Sequence, residues 1–164
     1  MYRDGVGEAP VSRDWFWLYR ATAPSWRAQA IQVVSMAHAM AALGERVRLL
    51  VEPSAPGTTP AHVLAALGLE PVPTLDLTVL SSSRTAASAA YRARFAAWLA
   101  RADRPVVVAR SKKHADRALA WFGGRFQLVL EAPEVDSEQA REAGRDPRPL
   151  QALEARVESL ALFA

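Results

Sequence analysis

The residues best suited to chemistry in this chain stand just past short apolar runs. Arg20, Thr22 and Trp26 follow 15–19, Arg110 follows 106–109, and Glu131, Glu134 and Asp136 follow 126–130. Arginines and carboxylates facing one crevice suit a polyhydroxylated or phosphorylated ligand, because both form paired, charge-assisted hydrogen bonds. Glu131 and Glu134 are the candidates for a catalytic carboxylate. Arg20, Thr22, Trp26, Arg110, Glu131 and Glu134 together form the candidate substrate-binding set. The plain structural alternative is that Arg110 pairs with Glu131 or caps a neighbouring helix, since rim ion pairs are ordinary.

Other chemistries leave marks that are missing. A dinucleotide fold needs G-x-G-x-x-G between its first strand and helix, where this chain reads ATAPSWRA. Gly5 and Gly7 precede the first strand and so cannot serve. A phosphate-binding P-loop needs a lysine following glycine, and the only lysines are Lys112 and Lys113 in RSKKH. No acidic cluster ends the first strand, as a receiver domain requires, and no G-x-S-x-G elbow is present. His38, His62 and His114 lack ligand spacing and the chain has no cysteine, so neither a metal nor any other cofactor is expected. The serines at 81–83 have no glycine nest or lysine beside them and read as a linker.

The elements that must position these residues alternate in type. Residues 15–19 are wholly apolar, as in a strand covered on both faces. Pro24 breaks the chain, Ser25 is the expected cap, and a helix from Ala28 carries the stripe Val33, Met36, Ala37 and Met40 up to Gly44. His38 lies one position past that stripe and reads as a surface histidine, with a ligand-facing role as the alternative. A second strand over 47–51 and a short helix capped by Thr59 with Pro60 at its first position come next. The alternation of Leu75, Leu77 and Val79 predicts a strand near a sheet edge. A helix over 88–101 stacks Tyr91, Phe95, Trp98 and Leu99 on one face, and 106–109 is the most deeply buried strand. Ser111 is expected to cap a helix over 112–122, ended by Gly123 and Gly124, before a strand over 126–130. A last helix over 150–163 carries Leu150, Leu153, Val157, Leu160 and Ala161. Such alternation predicts an α/β fold: a Rossmann-like, doubly wound, mostly parallel sheet with helices on both faces. Its ligand site belongs at the carboxyl ends of the strands.

Length and composition set the outer bounds. With 164 residues, 51% of them apolar, the chain can bury one domain core, assigned to 15–164 behind a polar leader over 1–14. No apolar run reaches the roughly 20 residues of a membrane helix, so no transmembrane segment is expected. The leader lacks an export signal, which makes a cytoplasmic location the expectation. The 20 basic and 17 acidic residues nearly balance, and the arginines are scattered without interleaved aromatics, so no nucleic-acid partner is expected.

Three stretches in order, AIQVVSMAHAMAALGERVRLLV, VVVARSKKHADRAL and VLEAPEVDSEQA, resemble the N-terminal half of GT-B-fold glycosyltransferases of the retaining group called family 4. The resemblance implies an acceptor-side domain for a small-molecule or glycan acceptor. A separate C-terminal domain would bind the nucleotide-sugar co-substrate, with reaction in the cleft between the two and no obligatory metal. The family commonly has a histidine in a segment like E-x-H-[ED], and Pro133 stands in that slot here. Many members also have paired glycines after the first strand, and 23–26 has none. The chain alone is therefore expected to be an incomplete hexosyltransferase-like enzyme, partnered by that second domain and inactive without it. A noncatalytic α/β binding module is the alternative, with 160–163 as its partner surface, and a nucleotide- or sugar-phosphate enzyme of another α/β type is a third.

Overall fold

The computed structural model describes residues 13–19, 22–80, 84–123, 125–131 and 136–161. Its frame is a parallel sheet. Strand β1 (Asp14–Leu18) lies centrally between β3 (Arg46–Pro53) and β5 (Val106–Ala109), with β4 (Leu75–Val79) beyond β3 and β6 (Gln127–Leu130) beyond β5. A two-residue strand β2 (Thr22–Ala23) pairs with the far end of β3, at Glu52 and Pro53. The order β4-β3-β1-β5-β6 grows outward from β1 in both directions, so strand order reverses between β1 and β5. That reversal is the topological switch point of an open α/β sheet, where ligands bind outside the carboxyl ends.

Strand parity sorts the core into two layers. Trp17, Val47, Leu49, Val51 and Val108 face α1 (Ala28–Ala42) and α2 (Pro60–Ala65). Phe16, Leu18, Leu50, Val107 and Ala109 face α3 (Arg84–Leu99), α4 (Lys112–Phe122) and α6 (Arg148–Ala161). All four residues of β5 are buried, as its wholly apolar run of three valines and an alanine demands. Under α3, Phe95 packs against Phe16, Trp98, Phe122 and Phe126 at centroid distances of 4.7 to 6.0 Å. Aromatic pairs at such distances add to their area burial.

Helix ends obey their local chemistry. Thr59 accepts from the backbone N–H of His62, and Ser111 accepts from that of His114, as their positions predict. Gly44, at φ 94°, makes the left-handed turn out of α1. The edge position of β4 also follows its alternation.

Four expectations need correction. The buried face of α1 is Ala30, Val33, Val34, Ala37 and Ala41, while Met36 is exposed; the period is right but the stripe is rotated toward Val34. Ser25 does not cap α1, because the N-cap position is Arg27, whose backbone N–H donates to the Ser25 hydroxyl instead. Asp14 belongs to β1 rather than to the leader. Its carboxylate accepts from Arg46 through two bonds of 2.9 Å and from the Asp103 N–H at 2.7 Å, fixing three segments at the amino end of the sheet. An unexpected helix, α5 (Asp136–Glu142), follows β6, and α6 starts at Arg148, earlier than its apolar stripe. Residues 1–12 of the leader and the serines 81–83 lie outside the described residues.

Candidate functional site at the strand reversal

Register builds the site. Leu18, Ala109 and Leu130 occupy one row across β1, β5 and β6. One residue further along each chain come Tyr19, Arg110 and Glu131, spaced as neighbouring strand ends about 4.8 Å apart. Side chains alternate along a strand, so these three share the face of Trp17, Val108 and Val129, the face that α1 covers. The row therefore meets the first turns of α1.

In this row Arg110 and Glu131 are joined to each other, and Glu131 and Tyr19 each reach α1. Arg110 Nη2 lies 3.3 Å from Glu131 Oε1. Gln32, on α1, donates its amide N–H to the same Glu131 oxygen at 3.4 Å, and the Tyr19 hydroxyl donates to Gln29 Oε1 at 3.3 Å. Gln29 and Gln32 are three apart on α1 and so point to the same side. The Glu131 N–H donates to Ala109 O at 2.9 Å, which fixes the backbone that carries the carboxylate.

Burial makes the pair unusual. The Arg110 side chain is 6% exposed and that of Glu131 is 28% exposed. Even so, Arg110 Nη1 and Glu131 Oε2 are shut from solvent and have no hydrogen-bond partner among the described residues. Leaving a buried donor or acceptor unmatched costs on the order of 1–3 kcal/mol, and more when the group is charged. One donor on Arg110 and one acceptor on Glu131, both charged, are thus left over in the pair, a combination complementary to a hydroxyl that gives one hydrogen bond and receives another, and the 28% exposed Glu131 side chain is the part nearest solvent.

Of the residues singled out from sequence, Arg110 and Glu131 are the only ones brought together among the described residues. Their pairing is the structural alternative stated above, and the unmatched atoms are what it did not foresee. Thr22 is exposed in β2. Trp26 is 86% exposed and borders a separate hollow of about 270 Å³ with Pro24, Ser54 and Leu67, near the carboxyl end of β3. Arg20 and Glu134 lie outside the described residues, as does Pro133, and nothing of the side chain of Asp136 is described. His38 Nε2 meets Glu70 O at 2.7 Å, a structural contact that agrees with its surface reading.

Tyr19, Gln29 and Gln32 were missed by sequence reasoning. In the sequence Tyr19 reads as the end of a strand, and the glutamines carry no motif. Their signal was positional: the first residue past β1, in the same register row as Arg110. Among the described residues no group of three or more His, Asp or Glu side chains is arranged to hold a metal ion, and no helix is long and apolar enough to cross a membrane. No family model, curated protein or solved structure matches the chain.

Proposed function

We propose that the chain is the acceptor-side, Rossmann-like domain of a retaining GT-B glycosyltransferase, which binds a sugar or glycan hydroxyl at the Tyr19–Arg110–Glu131 row. One observation carries the reading: Arg110 Nη1 and Glu131 Oε2, both buried at the strand reversal, have no partner among the described residues. A saccharide offers donors and acceptors on adjacent carbons, which suits this pair and the amides of Gln29 and Gln32. The glycine-poor loop into α1 favours a ligand without a pyrophosphate, in keeping with a donor nucleotide held by a second domain. Trp26, exposed on the same edge of the sheet, supplies an aromatic face for a further sugar ring.

In this reading Glu131 accepts the hydrogen bond of the attacking hydroxyl and Arg110, 3.3 Å from its Oε1, holds that carboxylate in position. Charge develops on the donor sugar and on its departing diphosphate, so the groups that stabilise it belong to the donor-side domain. The chain by itself then binds acceptor but does not transfer sugar.

Calorimetric titration tests this. Mono- and disaccharides are expected to bind saturably and more tightly than nucleotide-sugars, and Arg110→Met is expected to weaken binding about tenfold by removing a charge-assisted contact. Preferential binding of a nucleotide-sugar points instead to a nucleotide- or sugar-phosphate enzyme. Turnover of a nucleotide-sugar by the purified chain overturns the division of labour between two domains.

A further inference from the structure

The opposite face of the sheet holds a cavity of about 320 Å³ between α3 and α4, over the end of β1. Buried Leu18 and Tyr91 give it apolar walls, and Arg92, His114, Arg117 and Trp121 give it charge and an aromatic surface. On α4, His114, Arg117 and Trp121 stand at i, i+3 and i+7 and so share one helix face. The Tyr91 hydroxyl donates to Trp17 O at 3.2 Å, which fixes its ring as a wall.

The charges here are one-sided. Helix α3 has no acidic residue, and α4 has one, Asp116, which pairs with Arg156 of α6. Arg117 makes no ion pair with a carboxylate of the described residues. The Arg92 guanidinium lies 5.3 Å from the centroid of the Trp121 ring. Stacking of this kind engages the face of the guanidinium and leaves its in-plane N–H groups for an acceptor. Two cations from two helices thus border one small hollow floored by apolar side chains.

We propose that this cavity binds a small organic phosphate whose body is flat and apolar. Two guanidinium groups match the near-dianionic charge of a phosphate monoester better than the single charge of a carboxylate. The Trp121 and Tyr91 rings and Leu18 would take the flat body. The volume is at the small end of ligand sites, about 300–1,000 Å³, which admits a single ring with its phosphate and excludes a dinucleotide. This site lies across the sheet from the Tyr19–Arg110–Glu131 row and does not depend on the saccharide reading.

The test is calorimetric titration of the full chain with phenyl phosphate, phenol and inorganic phosphate, repeated on Arg117→Glu and Arg92→Gln. Phenyl phosphate is expected to bind saturably, with phenol and inorganic phosphate each at least about tenfold weaker, because each lacks half of the contacts. Arg117→Glu, an exposed position, is expected to lower phenyl phosphate affinity by at least about tenfold with an unchanged melting temperature, and Arg92→Gln to lower it by a smaller factor. Absence of saturable phenyl phosphate binding overturns the proposal. So does equal affinity for phenol, or wild-type affinity in both variants.

Discussion

Lys112 Nζ lies 2.7 Å from Glu154 Oε1, inside the interface where α4 packs against α6. Both side chains are nearly closed to solvent, at 6% and 11% exposure. Lys112 is the first residue of α4, so the pair holds the start of that helix, one residue past Ser111 and two past Arg110, against the last helix described. Removing Lys112 takes the opposite charge at 2.7 Å away from a carboxylate nearly closed to solvent. Lys112→Met is therefore expected to cost about 3 kcal/mol in urea denaturation, and the double change Lys112→Met with Glu154→Leu to recover most of that loss. A cost below about 1 kcal/mol for the single change contradicts a buried role for the pair.

Arg104 carries a φ of 47° in the turn between α3 and β5. A side chain in that left-handed region is strained and glycine is not. Arg104→Gly is expected to raise stability by about 0.5–1 kcal/mol, read as a higher midpoint in thermal unfolding. A lower midpoint would show that the arginine side chain contributes more than its backbone strain costs.

Phe95 and Trp26 are predicted to behave oppositely. Phe95 is fully buried among four aromatic rings, and Phe95→Ala is expected to cost about 3–5 kcal/mol. Trp26→Ala removes a side chain that is 86% exposed and is expected to change stability by less than about 0.5 kcal/mol while weakening disaccharide binding. Denaturation midpoints set beside calorimetric affinities check both.

Arg110 separates structure from function. If the guanidinium only held the sheet edge together, Arg110→Met would cost several kcal/mol. Because Nη1 is already unmatched and Glu131 can rehydrate through its 28% exposed side chain, the expected loss is under about 1.5 kcal/mol. Equilibrium unfolding of the variant measures it, and the same preparation reports the loss of saccharide affinity.

The sheet was legible in the sequence because its signals are local. The run 106–109 has no polar residue to expose, Thr59 and Ser111 sit where caps must, and the alternation of 75–79 fits an edge. The strand order was not legible, because pairing is a tertiary choice that no window of residues records. The rotated stripe of α1 has a similar cause: alanines dominate that helix, and a small side chain marks the buried face weakly, so Met36 drew attention that belonged to Val34. The candidate site was half legible. Arg110 and Glu131 stood out by charge after apolar runs, whereas Tyr19, Gln29 and Gln32 became visible only when register aligned three strand ends under one helix. Trp26 stood out by type, yet it lies beside a different hollow.

Nitrogen-edited NMR of the labelled chain during titration with a methyl glycoside tests the saccharide reading most directly. The side-chain amides of Gln29 and Gln32 and the Arg110 Nε–H are predicted to shift together with one saturating curve, while the Trp121 indole N–H across the sheet stays in place. Binding that moves other resonances and leaves those three unchanged, or no shift up to the solubility limit of the glycoside, contradicts an acceptor site at the Tyr19–Arg110–Glu131 row.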